Sequence, residues 1–568
     1  MKKILRSILL IAALVFLCAG SYAQFSPVWD VSYQHTGTNS FSNESRKVET
    51  DASGNVFVLA DVTSDIDPNG VITTSTWHYT VILKYSSGGT LMASKNIYVV
   101  NHVVSGFDNK GAFGLELDAA GNVYMGYNIY DNGSNYDVSV SKFDNSLNVI
   151  WAQKYNPGTI DYGVDMKVDP SGNVYAIAQS ISGSNSVYHI IKSNAVSQSL
   201  NSIYAFDVNA DYLNKLILDA SQNVYVTGYR IIAGFKNALT TSVTNAGALR
   251  WKVTYNGGSS NRDDVGNNLT LAADGNLYVV GVSDRGAPTI NDIMVIKYNP
   301  INGKSFWATY HDYNNGNDNG YFIYGPAIDY VYVGAVSAND IILDRIKTAT
   351  GGGNGRGTYQ PDPVESHTAL NGATLRGMKI SSNMNFYITG SIQATNLSAQ
   401  SFSASYLAKF VLFPVARNVF KLDFDADAEG DFTKSKFGAG IALDELNDKI
   451  IWLRDNAKEY STHTQEEVLV TYLDVPAQVK FAQNNSAQQV INSPDVIILS
   501  NPVKSKIQFQ AQQAIQRIEI SDITGKIVLS IDKTPPDKTV DVSSLISGIY
   551  LCRFIGAESV ITKKLVIE

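Results

Sequence analysis

The chain reads as an all-β protein: a β-propeller of seven or eight blades, followed by a small immunoglobulin-like β-sandwich. Three observations predict this. A string of the type Asp-x-x-Gly-Asn-Val-aromatic recurs along most of the chain, strand-like segments lie between its copies, and the composition changes near residue 482. Repeats outrank local motifs, because a fixed period of strand units implies an array in which each unit buries its faces against its neighbours.

The copies are DASGNVFV from Asp51, DAAGNVYM from Asp118, DPSGNVYA from Asp169, DASQNVYV from Asp219 and AADGNLYV from Ala272. Degenerate versions follow as IDYVYVG from Ile328 and NMNFYITG from Asn383. Their spacing of about 50 to 67 residues suits one blade with long loops. In each copy Asp can bond its own backbone to open a tight turn, Gly and Asn accept positive φ, and a strand pattern follows.

Two further strands recur between the turns. One ends in Lys and an aromatic, as in VILKY (81–85), VSVSKF (138–143), MVIKY (294–298) and YLAKF (406–410). The other carries Trp and Tyr about four residues apart, as in WDVSY from Trp29, WAQKY from Trp151, WKVTY from Trp251 and WATY from Trp307. The Trp29 strand precedes the first turn, so its blade must lie at the other end of the array. Closing the ring in that way removes exposed sheet edges. The segments ALDELNDKIIWLRD (442–455) and EEVLVTYLD (466–474) imitate a further unit. If both count, the ring has eight blades; if not, seven. Eight is favoured because long connections without structure are uncommon.

These units resemble the bacterial β-propeller repeat family over approximately residues 28–475. The resemblance implies architecture and not activity, since one fold serves many functions. The expected organisation is a signal peptide at 1–23, a propeller at 24–481 with an unsettled last blade at 416–481, a linker at 482–494 and a terminal domain at 495–568.

The first segment has a charged start, Met1-Lys2-Lys3, then a mostly apolar run from Ile4 to Gly20 and small residues at Ser21 and Ala23. That is the layout of a secretory signal cut between Ala23 and Gln24. Cys18 raises the alternative of a lipid anchor, but bulky Phe16 and Leu17 stand where a lipoprotein signal carries small residues. No later segment reads as transmembrane.

At the other end, the Gln- and Asn-rich linker gives way to short alternating strands broken by Asn-Pro, Thr-Gly-Lys and Ser-Gly. The tail looks like the C-terminal sorting domain of the type IX secretion system. Asn501, Pro502 and Val503 match at its start, Asp522, Gly525 and Lys526 in the middle, and Leu545, Gly548, Ile549 and Tyr550 before the last hairpin. Lys563 and Lys564 complete the match, and Ser500 departs from it where a proline is usual. The resemblance implies the type IX secretion machinery as partner, export across the outer membrane, and removal of the tail with release or surface attachment. Taken singly, Gly525 and Gly548 suit turns, Tyr550 and Phe554 alternate toward a core, and the lysines suit an edge strand.

Composition excludes some classes of function. The chain holds 44 Lys and Arg against 52 Asp and Glu, a net charge of -8, and has no basic stretch to neutralise phosphates. Nucleic acid is not an expected partner. Cys18 and Cys552 are the only cysteines, so a mature chain has one thiol and no internal disulfide.

Catalytic motifs are missing. There is no Gly-x-Ser-x-Gly, no His-Glu-x-x-His and no cysteine pair for zinc. Gly303-Lys304-Ser305 lacks the upstream glycine of a phosphate loop and reads as a hairpin tip, and the glycine-rich 351–357 stretch fails dinucleotide spacing. The seven histidines are scattered and read as surface or loop residues.

No cofactor is expected, with one possible exception. Asp423, Asp425 and Asp427, with Glu429 and Asp431, alternate as in a calcium loop, and could hold Ca²⁺. Ala428 and Lys434 depart from the calcium-loop pattern, which favours a solvated acidic loop. Two classes of function follow. The first is a non-catalytic module binding polysaccharide or protein through loops and tyrosines on one face. The second is a secreted polysaccharide hydrolase or lyase with its site in irregular loops. Regular repeats without a unique polar cluster favour the first.

Overall fold

The computed structural model describes residues 27–33, 43–66, 71–101, 111–131, 135–193, 199–257, 262–286, 291–313, 315–337, 340–359, 370–371, 373–382, 384–395, 401–413, 416–422, 436–444, 449–460, 463–474, 496–498, 505–511, 515–522, 527–532, 539–546, 548–555 and 560–567. Ala23, Gln24, the 482–494 linker, Asp423, Asp425, Asp427, Asn501, Pro502, Gly525 and Lys526 lie outside the described residues. The chain divides into two compact units, Met1–Val479 and Lys480–Glu568.

Among the described residues, the first unit holds eight antiparallel sheets, here blades 1 to 8. Blade 1 begins with Asn43–Thr50, blade 2 with Ala112–Leu117, blade 3 with Ile160–Val168 and blade 4 with Asp211–Leu218. Blade 5 begins with Asp264–Leu271, blade 6 with Asp318–Tyr324, and blade 8 with Lys436–Asp444. In blade 7 two short strands, Leu370–Asn371 and Gly377–Ile380, share the first place beside Asn385–Thr395. The first strands adjoin one another from blade 1 to blade 6, and that of blade 8 adjoins those of blades 7 and 1. Blades 6 and 7 meet through a shared core holding Leu343, Met378 and Phe386. The first strands therefore line the middle of a closed ring.

Each blade buries both faces against its neighbours. In the second strand of blade 1 every residue from Val56 to Val62 is at most 5% exposed. This is why second strands such as VFVLA read as continuous apolar runs rather than as the alternation of a half-exposed sheet. Blades 1 and 2 share a core in which Phe57, Leu59 and Ile82 meet Leu115, Met125 and Phe143.

Ring closure follows the sequence expectation. Pro27–Tyr33 pairs antiparallel with His463–Asp474, the third strand of blade 8, with Asp30 opposite Thr471 and Val31 opposite Val470. The Thr471 hydroxyl donates to Asp30 at 2.7 Å, and Trp29 stacks on Tyr472 at 5.0 Å. Residues 442–444, 449–455 and 466–474 are thus part of a real eighth blade.

The recurring Trp and Lys hold neighbouring blades together. The Nε1 of Trp29 donates to Ser87 O of blade 1, that of Trp251 to Pro300 O of blade 5, and that of Trp307 to Thr348 O of blade 6. Each acceptor sits in the last turn of the next blade. The third-strand Lys84, Lys192 and Lys297 likewise donate into the last turn of the next blade, to the carbonyls of Asn145, Asn245 and Thr348.

In the second unit, Val496–Ile498, Lys506–Ala511 and Thr539–Asp541 form one sheet. Ile527–Ile531, Arg517–Asp522, Gly548–Ile555 and Val560–Ile567 form another. Ile507, Phe509 and Val540 of the first share a core with Ile520, Cys552, Phe554 and Leu565 of the second, the layout of a small sandwich. Tyr550, Cys552 and Phe554 alternate into that core, and burial pushes the Cys552 thiol up to about 12. Gly548 is not a turn residue as expected: it opens a strand opposite Ile567.

Candidate functional site

The two faces of the ring are built differently. One carries the tight turns between first and second strands. In blade 1 the Asp51 carboxylate accepts from the backbone of Ser53 and Asn55 and from the Asn55 side chain, at 2.8 to 2.9 Å. Asp118, Asp169 and Asp219 repeat the arrangement. Blade 7 substitutes Ser381, whose Oγ accepts from the Asn385 backbone at 3.2 Å. These aspartates are turn formers, and the turn recurs with little change in blades 1 to 4.

The opposite face carries the connections between second and third strands and those between blades. Sequence reasoning missed its main polar feature. The first strands of blades 3 to 6 each carry a buried aspartate at their first or second residue, Asp161, Asp211, Asp264 and Asp318, none more than 1% exposed. Each caps the incoming loop: Gly158, Asp207, Gly257 and Tyr313 donate their backbone N–H to these carboxylates. A recurring string was the available signal, for Asp161-Tyr162-Gly163, Asp264-Val265-Gly266 and Asp318-Asn319-Gly320 share one pattern. The glycine is needed where the preceding blade presses close: a Cβ on Gly163 would lie 2.0 Å from Phe113, and one on Gly320 would lie 2.5 Å from Val280.

Burial holds the carboxyls of Asp161, Asp264 and Asp318 above the usual carboxylate range. Arg230 and Lys252 both pair with Asp211. At the boundary of blades 5 and 6, carboxylate oxygens of Asp292, Asp312 and Asp318 lie within 4.8 Å of one another. Three oxygens at that separation suit a hard cation such as Ca²⁺. The loop-capping position that Asp318 shares with Asp161, Asp211 and Asp264 accounts for its burial without one.

An arc of tyrosines runs along the same face. Tyr136 of blade 2 meets Tyr162 of blade 3 at 5.5 Å, and Tyr188 of blade 3 meets Tyr212 of blade 4 at 5.7 Å. Tyr212 stacks on Tyr229 at 4.6 Å, and the Lys236 ammonium lies 5.1 Å from the centre of the Tyr229 ring. Further round, the hydroxyls of Tyr255 and Tyr310 share a 2.6 Å hydrogen bond, and the Arg285 guanidinium sits 3.9 Å from the Tyr310 ring centre. Tyr136, Tyr212, Tyr229, Tyr255 and Tyr310 are half-buried. Burial pushes the phenols of Tyr229 and Tyr310 up, so both keep their protons at neutral pH and offer flat, polar-tipped surface.

Three histidines, His78, His189 and His311, are placed more deeply than expected. His311 closes the last strand of blade 5, is only 8% exposed, and lies 3.2 Å from the buried Asp344, which also pairs with Arg356. His78 and His189 stand within strands, and burial pushes both imidazoles down. Of the sorting residues, Lys563 and Lys564 fall opposite Cys552 and Leu551 on an edge strand, and the Tyr550 hydroxyl donates to Ile546 O at 2.8 Å. Among the described residues no helix is long and apolar enough to cross a membrane.

Residues 498–568 match the family described as the secretion system C-terminal sorting domain. The chain is therefore a propeller with a type IX sorting tail, which engages the secretion machinery and directs export to the cell surface or extracellular space. No curated protein matches the chain. Among solved structures, the Dos1 propeller is 8% identical, with 79% of this chain and 95% of that one covered at a TM-score of 0.42. Puromycin hydrolase is 11% identical, with 75% of this chain covered but only 60% of the hydrolase, at a TM-score of 0.42. The polysaccharide lyase Uly1 is 10% identical, with 71% and 93% covered at a TM-score of 0.38. Likenesses this distant bear on neither fold nor activity. The ring rests on its own strand pairing.

Proposed function

We propose that the exported ring is a non-catalytic binding module that holds an extracellular polysaccharide across its irregular face. The observation that carries this reading is the tyrosine arc from blade 2 to blade 5, flanked by Lys236 and Arg285. Rigid aromatic faces give contact area at low entropic cost, and hydroxyls and cations at their edges supply the polar bonds a sugar needs. A protein partner would use the same surface. A hydrolase or lyase would draw on Asp161, Asp264 or Asp318, but each is committed to a loop cap that recurs in several blades. Export on this reading begins with cleavage between Ala23 and Gln24.

The test is a glycan array probed with the mature propeller and with a Tyr212→Ala, Tyr229→Ala double variant. Removing both faces of the stacked pair is expected to weaken binding about tenfold or more, the size of about 1.4 kcal/mol. Equal binding by the double variant would overturn the placement of the site. Release of shortened sugar products by the mature protein would overturn the non-catalytic reading.

A further inference from the structure

The middle of the ring holds a charge arrangement that neither the tail nor the tyrosine arc uses. The first strands of blades 1 to 4 bend at a register shift, and the residue after it is Lys47 in blade 1, Asp165 in blade 3 and Lys215 in blade 4. Residues alternating with the charged ones are buried between blades, as with Val48, Leu115, Met166 and Leu216. The charged side chains then meet one another at the ring's centre. Lys167 pairs with Glu116 of the preceding blade, and Lys215 with Asp165 at 2.7 Å. Lys379 of blade 7 reaches Glu49 of blade 1 at 3.2 Å, past blade 8, whose first strand carries Gly438 and Gly440.

Those three pairs cancel, and Lys47 is left over. Among the described residues its ammonium has no hydrogen bond and no ion pair, and it is open to solvent within the channel although protein surrounds it. Enclosure pushes its ammonium down, and Lys215 and Lys167 opposite add to the effect, against the partial opposition of Asp165 and Glu116. A cation with no counter-ion of its own, facing other cations, gains from a bound anion, although the solvent that reaches it screens part of the attraction.

The geometry points to an oxyanion site in the central channel, with Lys47 as its main ligand and Lys167 and Lys215 as flanking cations. The group it takes is a sulfate or carboxylate, arriving as a free ion or as a substituent of an acidic sugar chain. The site does not depend on the tyrosine arc, which lies on one face of the ring and not in its channel.

The experiment follows acylation of individual lysines in the full mature chain by mass spectrometry at about pH 8, below the usual lysine value. It is run in chloride, in sulfate of equal ionic strength, and with a uronic-acid oligosaccharide. Lys47 is expected to react faster than the exposed Lys304 in chloride and to be protected at least about threefold by an anion that binds, with Lys304 unaffected. Protection by sulfate identifies a free ion as sufficient, and protection by the oligosaccharide alone identifies a sugar-borne group; either supports the site. Calorimetry of Lys47→Met with the protecting anion should then show no binding and an unchanged melting temperature. Reactivity of Lys47 unchanged in all three solutions, or equal binding by Lys47→Met, would overturn the proposal.

Discussion

At the residue scale, two sets of aspartates do opposite things to stability. Asp169 accepts three hydrogen bonds in its turn, from Ser171 N, Asn173 N and Asn173 Nδ2. Asp169→Ala leaves those donors without an acceptor and should cost about 1 to 3 kcal/mol, read from the denaturation midpoint. In the equivalent turns, burial pushes Asp51 and Asp118 upward but the bonds from Asn55 and Asn122 outweigh it, so both carboxyls sit below the usual range. Their contribution is complete above the unfolded value near about 4 and is lost as pH falls through the folded value. Asp318 runs the other way. Burial first, and then Asp312 and Asp292, hold its carboxyl high, so its contribution is present below the unfolded value and lost as pH rises through the folded one. Asp318→Asn should therefore raise the melting temperature at neutral pH, with the gain vanishing in acid. A gain that persists at about pH 3, where unfolded carboxylates are protonated, would contradict this. The turn aspartates were legible because their string repeats with a strand behind it. The capping aspartates were not, because two fixed residues in three are too little signal without knowing that a neighbouring blade crowds the glycine.

At the scale of the element, the strand that carries the recurring Trp was visible in the sequence but its purpose was not. An indole read alone looks like core. The structure shows it spanning to the next blade, over a glycine in the last turn: a Cβ on Gly303 would lie 2.7 Å from Trp251, and one on Gly351 would lie 2.9 Å from Trp307. Gly303 and Gly351 also have φ of 71° and 74°, where side chains are disfavoured. Gly303→Ala combines both penalties and should cost about 2 to 5 kcal/mol. Gly275→Ala, at φ 77° with nothing within 4 Å of its Cβ, should cost only about 1 to 2 kcal/mol. Equal losses in the two variants would show that the Trp contact contributes nothing. The strands of the second place were harder to read than hairpin strands, because burial on both faces erases the alternation that marks a half-exposed strand.

At the scale of the whole molecule, the ring and the tail were both legible, for different reasons. The tail carries spaced motifs, and its family match covers residues 498–568. Deleting residues 480–568 should leave a folded ring inside the periplasm; normal levels of tail-less protein in the medium would contradict its role in export. The eighth blade was legible only through the degenerate segments 442–455 and 466–474 and the length of chain otherwise left unassigned, since blades 7 and 8 keep so little of the repeat. The candidate site was legible only as a preference for one face with many tyrosines, because which tyrosines meet depends on how neighbouring blades are set side by side. Ring closure by the first strand is the claim on which the architecture rests, and a cross-link tests it most directly. Asp30 and Thr471 stand opposite each other in the antiparallel pair, with their side chains in contact at 2.7 Å. An Asp30→Cys, Thr471→Cys chain, oxidised and digested, should yield one disulfide-linked peptide joining the two strands, in a protein that melts no lower than its reduced form. A folded, oxidised protein in which both cysteines stay free would contradict the closed eight-bladed ring.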